Sequence, residues 1–200
     1  MAKKTAKKTV KKTDKKIVKN SNKKYEVEVV NIVISAALGH DIPLEKMAAT
    51  LSNTEYNPEQ FPGLVLRIKD PKTSALIFSS GKIVCTGARN LEQVNQSIKK
   101  IIKTLEKINI KIKKEPEISI QNMVAAGSIH MDLNLNLLAM KLDNVEYEPE
   151  QFPGLVYKIP SVHSTFLLFS NGKIVCTGTK SEEAVHKAVE KLIDNLNKVK

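Results

Sequence analysis

The chain has 200 residues, 42% of them apolar, with two cysteines, four histidines and a formal net charge of +11. That length allows one or two domains with a real core. It contains neither the 18-residue apolar run of a transmembrane helix nor the cysteine density of a disulfide framework, and the cysteine usage points to a reducing interior.

The charge is unevenly placed. Residues 1–24 carry eleven lysines and one aspartate, whereas the rest of the chain holds 21 basic and 20 acidic side chains. The basicity therefore belongs to a tail, MAKKTAKKTVKK onward, and the remainder is nearly neutral. No apolar stretch and cleavage site follow that start, so it does not read as a secretory signal. It has too few apolar residues to order itself and is expected to be disordered. Two roles stay open for it: a solubilising extension, or a sequence-blind contact with phosphates.

From residue 25 the pattern changes. A strand is predicted at about 25–36 and a short helix at about 43–53, with Leu44, Met47, Ala48 and Leu51 on one face. Strands are predicted near 54–58, 63–69, 74–80 and 82–88, joined by turns such as Ser80-Gly81. A long helix follows, with Asn90 as its cap, Gln93 three residues on, and a stripe of Leu91, Val94, Ile98, Ile101, Ile102, Leu105 and Ile108.

The same series then repeats. Shifted by 91 residues, the chain aligns with itself without a gap from Asn31/Asn122 to Val94/Val185. Ten of thirteen positions match between Tyr56–Ile68 and Tyr147–Ile159, and nine of ten between FSSGKIVCTG and FSNGKIVCTG. A period this long is no solenoid unit. It predicts two domain-sized halves of one pseudo-twofold object: a tail at 1–24, a first repeat at 25–110, a linker at 111–117 and a second repeat at 118–200. In the second closing helix Ser181 caps, Glu182 and Glu183 meet the positive helix end, and Val185, Ala188, Val189, Leu192, Ile193 and Leu196 form the stripe. The fold class is α+β, with the helices on one face of an antiparallel sheet.

Alternation along the strands separates two faces. One collects Ile32, Ile34, Leu64, Leu66, Ile68, Ala75, Ile77, Ile83 and Cys85, a set suited to the helix-covered core. The other collects Asn31, Val33, Phe61, Val65, Arg67, Leu76, Phe78, Val84 and Thr86, and their second-half equivalents. That face must be covered by a second layer or a dimer partner, or else be a binding surface. Four of the five phenylalanines lie at repeat-matched positions near its loops, beside asparagine and threonine, which favours binding. The minor groove of DNA fits such a face. At A·T pairs it offers only acceptors, whereas guanine adds an amino group that would collide with flat Val and Thr side chains. Asn31, Asn122, Thr86 and Thr177 can donate to those acceptors, and phenylalanines can wedge into base steps at a cost of about a few kcal/mol each.

At these residues the sequence resembles the TATA-box-binding protein family over residues 25–200. The motifs YxPEQFPGLV, LxFxxGKxVxTG and xNxV each occur twice, in order. The family is itself a standard example of minor-groove wedging. The resemblance implies a saddle of ten antiparallel strands with four helices on the convex side. It implies wedges at Phe61, Phe78, Phe152 and Phe169, and central asparagines at Asn31 and Asn122. It implies a groove lining of Val33, Val124, Leu76, Leu167, Val84, Val175, Thr86 and Thr177, and Val65 and Val156 join the expected DNA-binding set from the same open face. Backbone contacts fall on Arg67, Lys158, Lys82 and Lys173. Contacts to transcription factor B fall on Glu146, Glu148, Glu150 and Gln151, with RNA polymerase recruited in turn. Both halves keep Phe-Pro-Gly, which resembles archaeal members, and the placement would be nucleoid-associated in the cytoplasm there and nuclear in a eukaryote. The lysine tail departs from archaeal members, and Lys158 stands where arginine is common, at the loss of a bidentate phosphate contact.

The remaining residues call for no chemistry. His40, His130, His163 and His186 share no ligand spacing, so neither metal nor cofactor is expected. Cys85 and Cys176 fall on the core face as inert thiols. No catalytic constellation stands out, and an enzyme is not expected. Lys99, Lys100, Lys103 and Lys107 read as a solvated helix face. The apolar underside can pair with a second copy when no DNA is present. The competing readings are a non-specific architectural DNA binder driven by the tail, and an enzyme on a borrowed saddle.

Overall fold

A computed structural model of the chain describes residues 24–112 and 115–199. The tail reading, Lys24 apart, lies outside the described residues, as do Lys113 and Lys114 of the linker. In the first half the elements are β1 (Glu26–Ala37), α1 (Leu44–Thr50), β2 (Thr54–Glu55), β3 (Gly63–Ile68), β4 (Thr73–Phe78), β5 (Lys82–Ala88) and α2 (Leu91–Lys107). The second half repeats them as β6 (Glu117–Ser128), α3 (Leu135–Lys141), β7 (Val145–Glu146), β8 (Leu155–Ile159), β9 (Ser164–Leu168), β10 (Lys173–Thr179) and α4 (Glu182–Lys198). A 3-10 turn at Pro160–Val162 is added between β8 and β9.

The strands form one ten-stranded antiparallel sheet in the order β2-β3-β4-β5-β1-β6-β10-β9-β8-β7. The repeats meet at β1 and β6, where Asn31 pairs with Val124 and Val33 with Asn122. The pseudo-twofold axis therefore passes between two Asn–Val pairs at the middle of the sheet.

Alternation puts the core where the sequence predicts it. One cluster gathers Ile32, Ile34, Leu64, Leu66, Ala75, Ile77, Ile83 and Cys85 beneath Leu44, Met47, Val94, Ile98, Ile101 and Leu105 of α1 and α2. The second gathers Leu155, Tyr157, Phe166, Leu168, Ile174 and Cys176 beneath α3 and the Val185–Leu196 stripe of α4. All four helices thus cover the same face. The long helices start as read: Asn90 accepts from Gln93 N at 2.9 Å and Ser181 from Ala184 N at 3.1 Å. Each cap satisfies an otherwise orphan amide, a contribution of about 1 kcal/mol.

Some bounds differ from the sequence reading. Leu91, placed in the α2 stripe, is 53% exposed. It opens the helix and stands a turn before the first stripe residue the sheet covers, Val94. β2 ends at Glu55 rather than near 58, because Gln60 and Phe61 N both turn back to Asn57 O to close a loop containing Pro58. Helix α1 stops at Thr50 rather than 53, where extended Leu51 donates its N–H to Met47 O. Among the described residues, no helix is long and apolar enough to cross a membrane, and no group of three or more His, Cys, Asp or Glu stands together as a metal cradle.

Candidate nucleic-acid interface

The face opposite the helices carries the residues singled out from the sequence. Val33, Val65, Leu76, Val84, Val124, Val156, Leu167 and Val175 are half-buried, as are Asn31, Thr86, Asn122 and Thr177. Cross-strand pairing sets them in continuous rows: Val65 beside Leu76 beside Val84 in one half, Val156 beside Leu167 beside Val175 in the other. Lys82 and Lys173 open β5 and β10 at the margin and are exposed. The result is a broad apolar floor with amides at its centre and cations at its edges.

At each end of the floor two phenylalanines stand together. Phe61 and Phe78 have centroids 6.0 Å apart, tilted by 59°, and Phe152 and Phe169 are also 6.0 Å apart, edge to face. Phe61 and Phe152 are 45% and 43% exposed, whereas the fifth phenylalanine, Phe166, is fully buried in the core. The repeated Phe-Pro-Gly explains the pairing. A Cβ at Gly154 would lie 2.6 Å from Phe152 Cε1 and 3.1 Å from Phe169 Cε1, and one at Gly63 would lie 2.7 Å from Phe61 Cε1. Only glycine leaves room for the rings to close over the strand start. Aromatic pairs left open to water at the sheet ends are costly to keep.

The central amides are held from within. Asn31 Oδ1 accepts from Gly87 N at 2.8 Å and from Thr86 Oγ1 at 3.2 Å. Asn122 Oδ1 accepts from Gly178 N at 2.9 Å, while its Nδ2 donates to Thr177 Oγ1 at 3.0 Å. In the first half the single Thr86 proton is thus directed at Asn31, and donation outward falls to the asparagine amide.

Two of the four expected backbone contacts, Arg67 and Lys158, are already paired inside the protein. Arg67 donates through Nε and Nη2 to the two Glu55 carboxylate oxygens at 3.0 and 3.1 Å. Lys158 Nζ donates to Glu146 Oε1 at 2.7 Å. All four side chains are exposed, so an incoming phosphate can displace the carboxylates at small cost. The guanidinium holds the Glu55 carboxyl below its usual range. Glu146, read as a partner contact, is engaged with Lys158, whereas Glu148, Glu150 and Gln151 are exposed on the loop closed by Glu148 O.

Several features escape a reading by alternation alone. Gly87 and Gly178 hold the asparagines; their signal was the Thr-Gly that recurs in both GKIVCTG segments. Ser35 and Ser119 share the open face, both within reach of Gln121 Nε2, at 2.7 and 3.1 Å. Glu28 joins it through Ala126, which pairs with Val175, and so places an acidic group on the floor. Elsewhere Cys85 and Cys176 are buried, and loss of water raises both thiol pKa values, that of Cys176 to about 11. The histidines stand apart: His130 and His163 occupy left-handed turn positions, and His186 Nδ1 meets the Tyr25 hydroxyl at 3.0 Å.

Comparison with known proteins follows the same lines. Residues 26–108 and 117–199 each match the family model described as transcription factor TFIID, or TATA-binding protein. The chain is 47% identical to the TATA-box-binding protein of Archaeoglobus fulgidus over 86% of this chain and 95% of that one. It is 48% identical to the TATA-box-binding protein of Methanocaldococcus jannaschii over 87% and 95%. A solved structure titled Methanococcus jannaschii TBP superposes with a TM-score of 0.81 at 47% identity, covering 86% of this chain and 99% of that one. With both repeats matched by the family model and relatives 47–48% identical over most of the chain, the chain belongs to the TATA-binding protein family.

Proposed function

We propose that this chain is a general transcription initiation factor that binds the minor groove of A/T-rich promoter DNA, bends it by phenylalanine wedging, and recruits transcription factor B and RNA polymerase. One observation carries the reading: a helix-free sheet face with a ring pair at each end and two amide groups at its centre. Rings inserted at two base steps open the groove, and the apolar floor then lies against A·T edges. Specificity comes largely from the ease of distorting TA-type steps and from exclusion of guanine's amino group. Arg67, Lys82, Lys158 and Lys173 reach the phosphates at the margins, which makes affinity salt-dependent.

The exposed carboxylates Glu148 and Glu150 of the second loop suit a basic partner, and we assign them to transcription factor B, with Gln151 beside them. Its similarity to archaeal TATA-box-binding proteins supports a place at the nucleoid in the cytoplasm. Binding-site selection from random duplexes, with and without residues 1–24, tests the function. Recovery of A/T-rich sites by both forms is expected. If the shortened chain binds such a site no better than random DNA, the protein is a charge-driven architectural binder and the proposal fails. Glu148→Arg is expected to spare DNA binding while weakening the ternary complex with transcription factor B.

A further inference from the structure

We propose that Gly87 and Gly178 set the hydrogen-bonding sense of the central readout, holding Asn31 and Asn122 so that each presents an NH2 donor and not a carbonyl. The inference rests on the DNA-binding reading and deepens it. A side-chain amide can turn over and offer either its oxygen or its nitrogen. A backbone N–H can only donate. With Gly87 N at 2.8 Å from Asn31 and Gly178 N at 2.9 Å from Asn122, the atom facing each glycine must be Oδ1. The threonines cannot decide the matter, because a hydroxyl both donates and accepts: Thr86 donates to Asn31 Oδ1 at 3.2 Å, whereas Thr177 lies within reach of both ends of the Asn122 amide, accepting from Nδ2 at 3.0 Å and donating to Oδ1 at 3.4 Å.

The glycine amides are free to act because the sheet is irregular at those two places. Between β1 and β5 the register passes from Ile32/Ala88 to Ile34/Cys85, so Thr86 and Gly87 together oppose Val33. Between β6 and β10 it passes from Met123/Thr179 to Ala125/Cys176, so Thr177 and Gly178 oppose Val124. Such a bulge takes a residue out of the ladder and re-aims its neighbours. Both glycines have φ near +100°, a conformation side chains rarely adopt, and a Cβ would lie 2.8 Å from Lys72 O or 2.5 Å from His163 O. Any larger residue displaces the bulge and the N–H with it.

The consequence is selective. Adenine and thymine present only acceptors in the minor groove, and guanine adds a donor. A locked NH2 satisfies the first and leaves the guanine amino group facing another donor. An unlocked asparagine can turn its oxygen toward guanine and tolerate it. The glycines thus contribute discrimination against G·C at the centre of the site, separately from the steric exclusion by the valines.

Three duplexes test this with the full chain: an A/T-rich site, the same site with a central G·C pair, and the same site with inosine·C, which lacks only the minor-groove amino group. The parent protein is expected to bind the inosine duplex over the guanine duplex by roughly 5- to 150-fold. Gly178→Ala with Gly87→Ala should narrow that ratio at least about 5-fold, whereas a merely structural defect lowers both affinities together. Asn122→Asp with Asn31→Asp keeps an acceptor for each glycine amide, cannot donate, and should narrow the ratio likewise, which covers a glycine double variant that fails to fold. An unchanged ratio in either folded variant overturns the proposal. A parent protein that prefers no A/T-rich site overturns the DNA-binding reading itself, and this inference with it.

Discussion

Substituting Gly154 by alanine separates the shape of the wedge from the stability of the fold. The new Cβ would lie 2.6 Å from Phe152 Cε1, against an ordinary carbon contact of about 3.5–4.0 Å. The Phe152 ring must therefore retreat by about 1 Å. It is exposed and has room to do so, and alanine meets no left-handed backbone at this position. The folding cost is then mainly the aromatic pairing, about 0.5–1.5 kcal/mol, partly offset by about 0.4–1 kcal/mol from a stiffer unfolded chain. Net stability should change by less than about 1 kcal/mol in urea unfolding. The functional loss should be larger. Opening a base step costs about a few kcal/mol, which only a well-placed wedge returns. Losing that return at one end should weaken binding by about 1–3 kcal/mol, roughly 5- to 150-fold, chiefly through faster dissociation. Energy transfer between dyes on the two duplex arms should report a smaller bend. A parental bend and lifetime would refute the reasoning, as would a stability loss as large as the loss in affinity.

Four further outcomes are expected. Releasing Arg67 from its internal partner by Glu55→Gln should strengthen DNA binding, whereas Arg67→Ala should lower the slope of log affinity against log salt by about one; a titration across salt concentrations distinguishes them, and an Arg67→Ala slope equal to the parent's would remove the phosphate contact. Native Cys85 and Cys176 should resist thiol reagents at pH 8 and both react after unfolding. Because burial raises the folded Cys176 pKa to about 11, its stabilising contribution is complete below the unfolded thiol value and is lost as pH rises from about 9 toward 11, by about 2–3 kcal/mol; a denaturation midpoint that stays level across that window in the parent, relative to Cys176→Ala, would contradict it.

Much of the candidate interface was legible because strand alternation is local. Leu64 and Leu66 against Val65 and Arg67, or Ile83 and Cys85 against Val84 and Thr86, separate into core and open face from spacing alone, and the structure keeps that division. The helix caps at Asn90 and Ser181 were legible for the same reason, since donor and acceptor lie three residues apart. Leu91 was misplaced because periodicity gives the face of a helix but not how far along its length the sheet extends.

The amino-acid sequence by itself determined the duplication, the two-faced strands and the identity of the rings and amides, all of them readable from residue identity and order along the chain. Tertiary structure decided which atom each amide presents, which cation is already paired, and how the rings close over Gly63 and Gly154. Those depend on partners 12 to 56 residues away and on two bulges whose extra residue leaves no mark on hydrophobic pattern. A hydrogen bond's direction is a matter of backbone geometry, and only the assembled sheet supplies it.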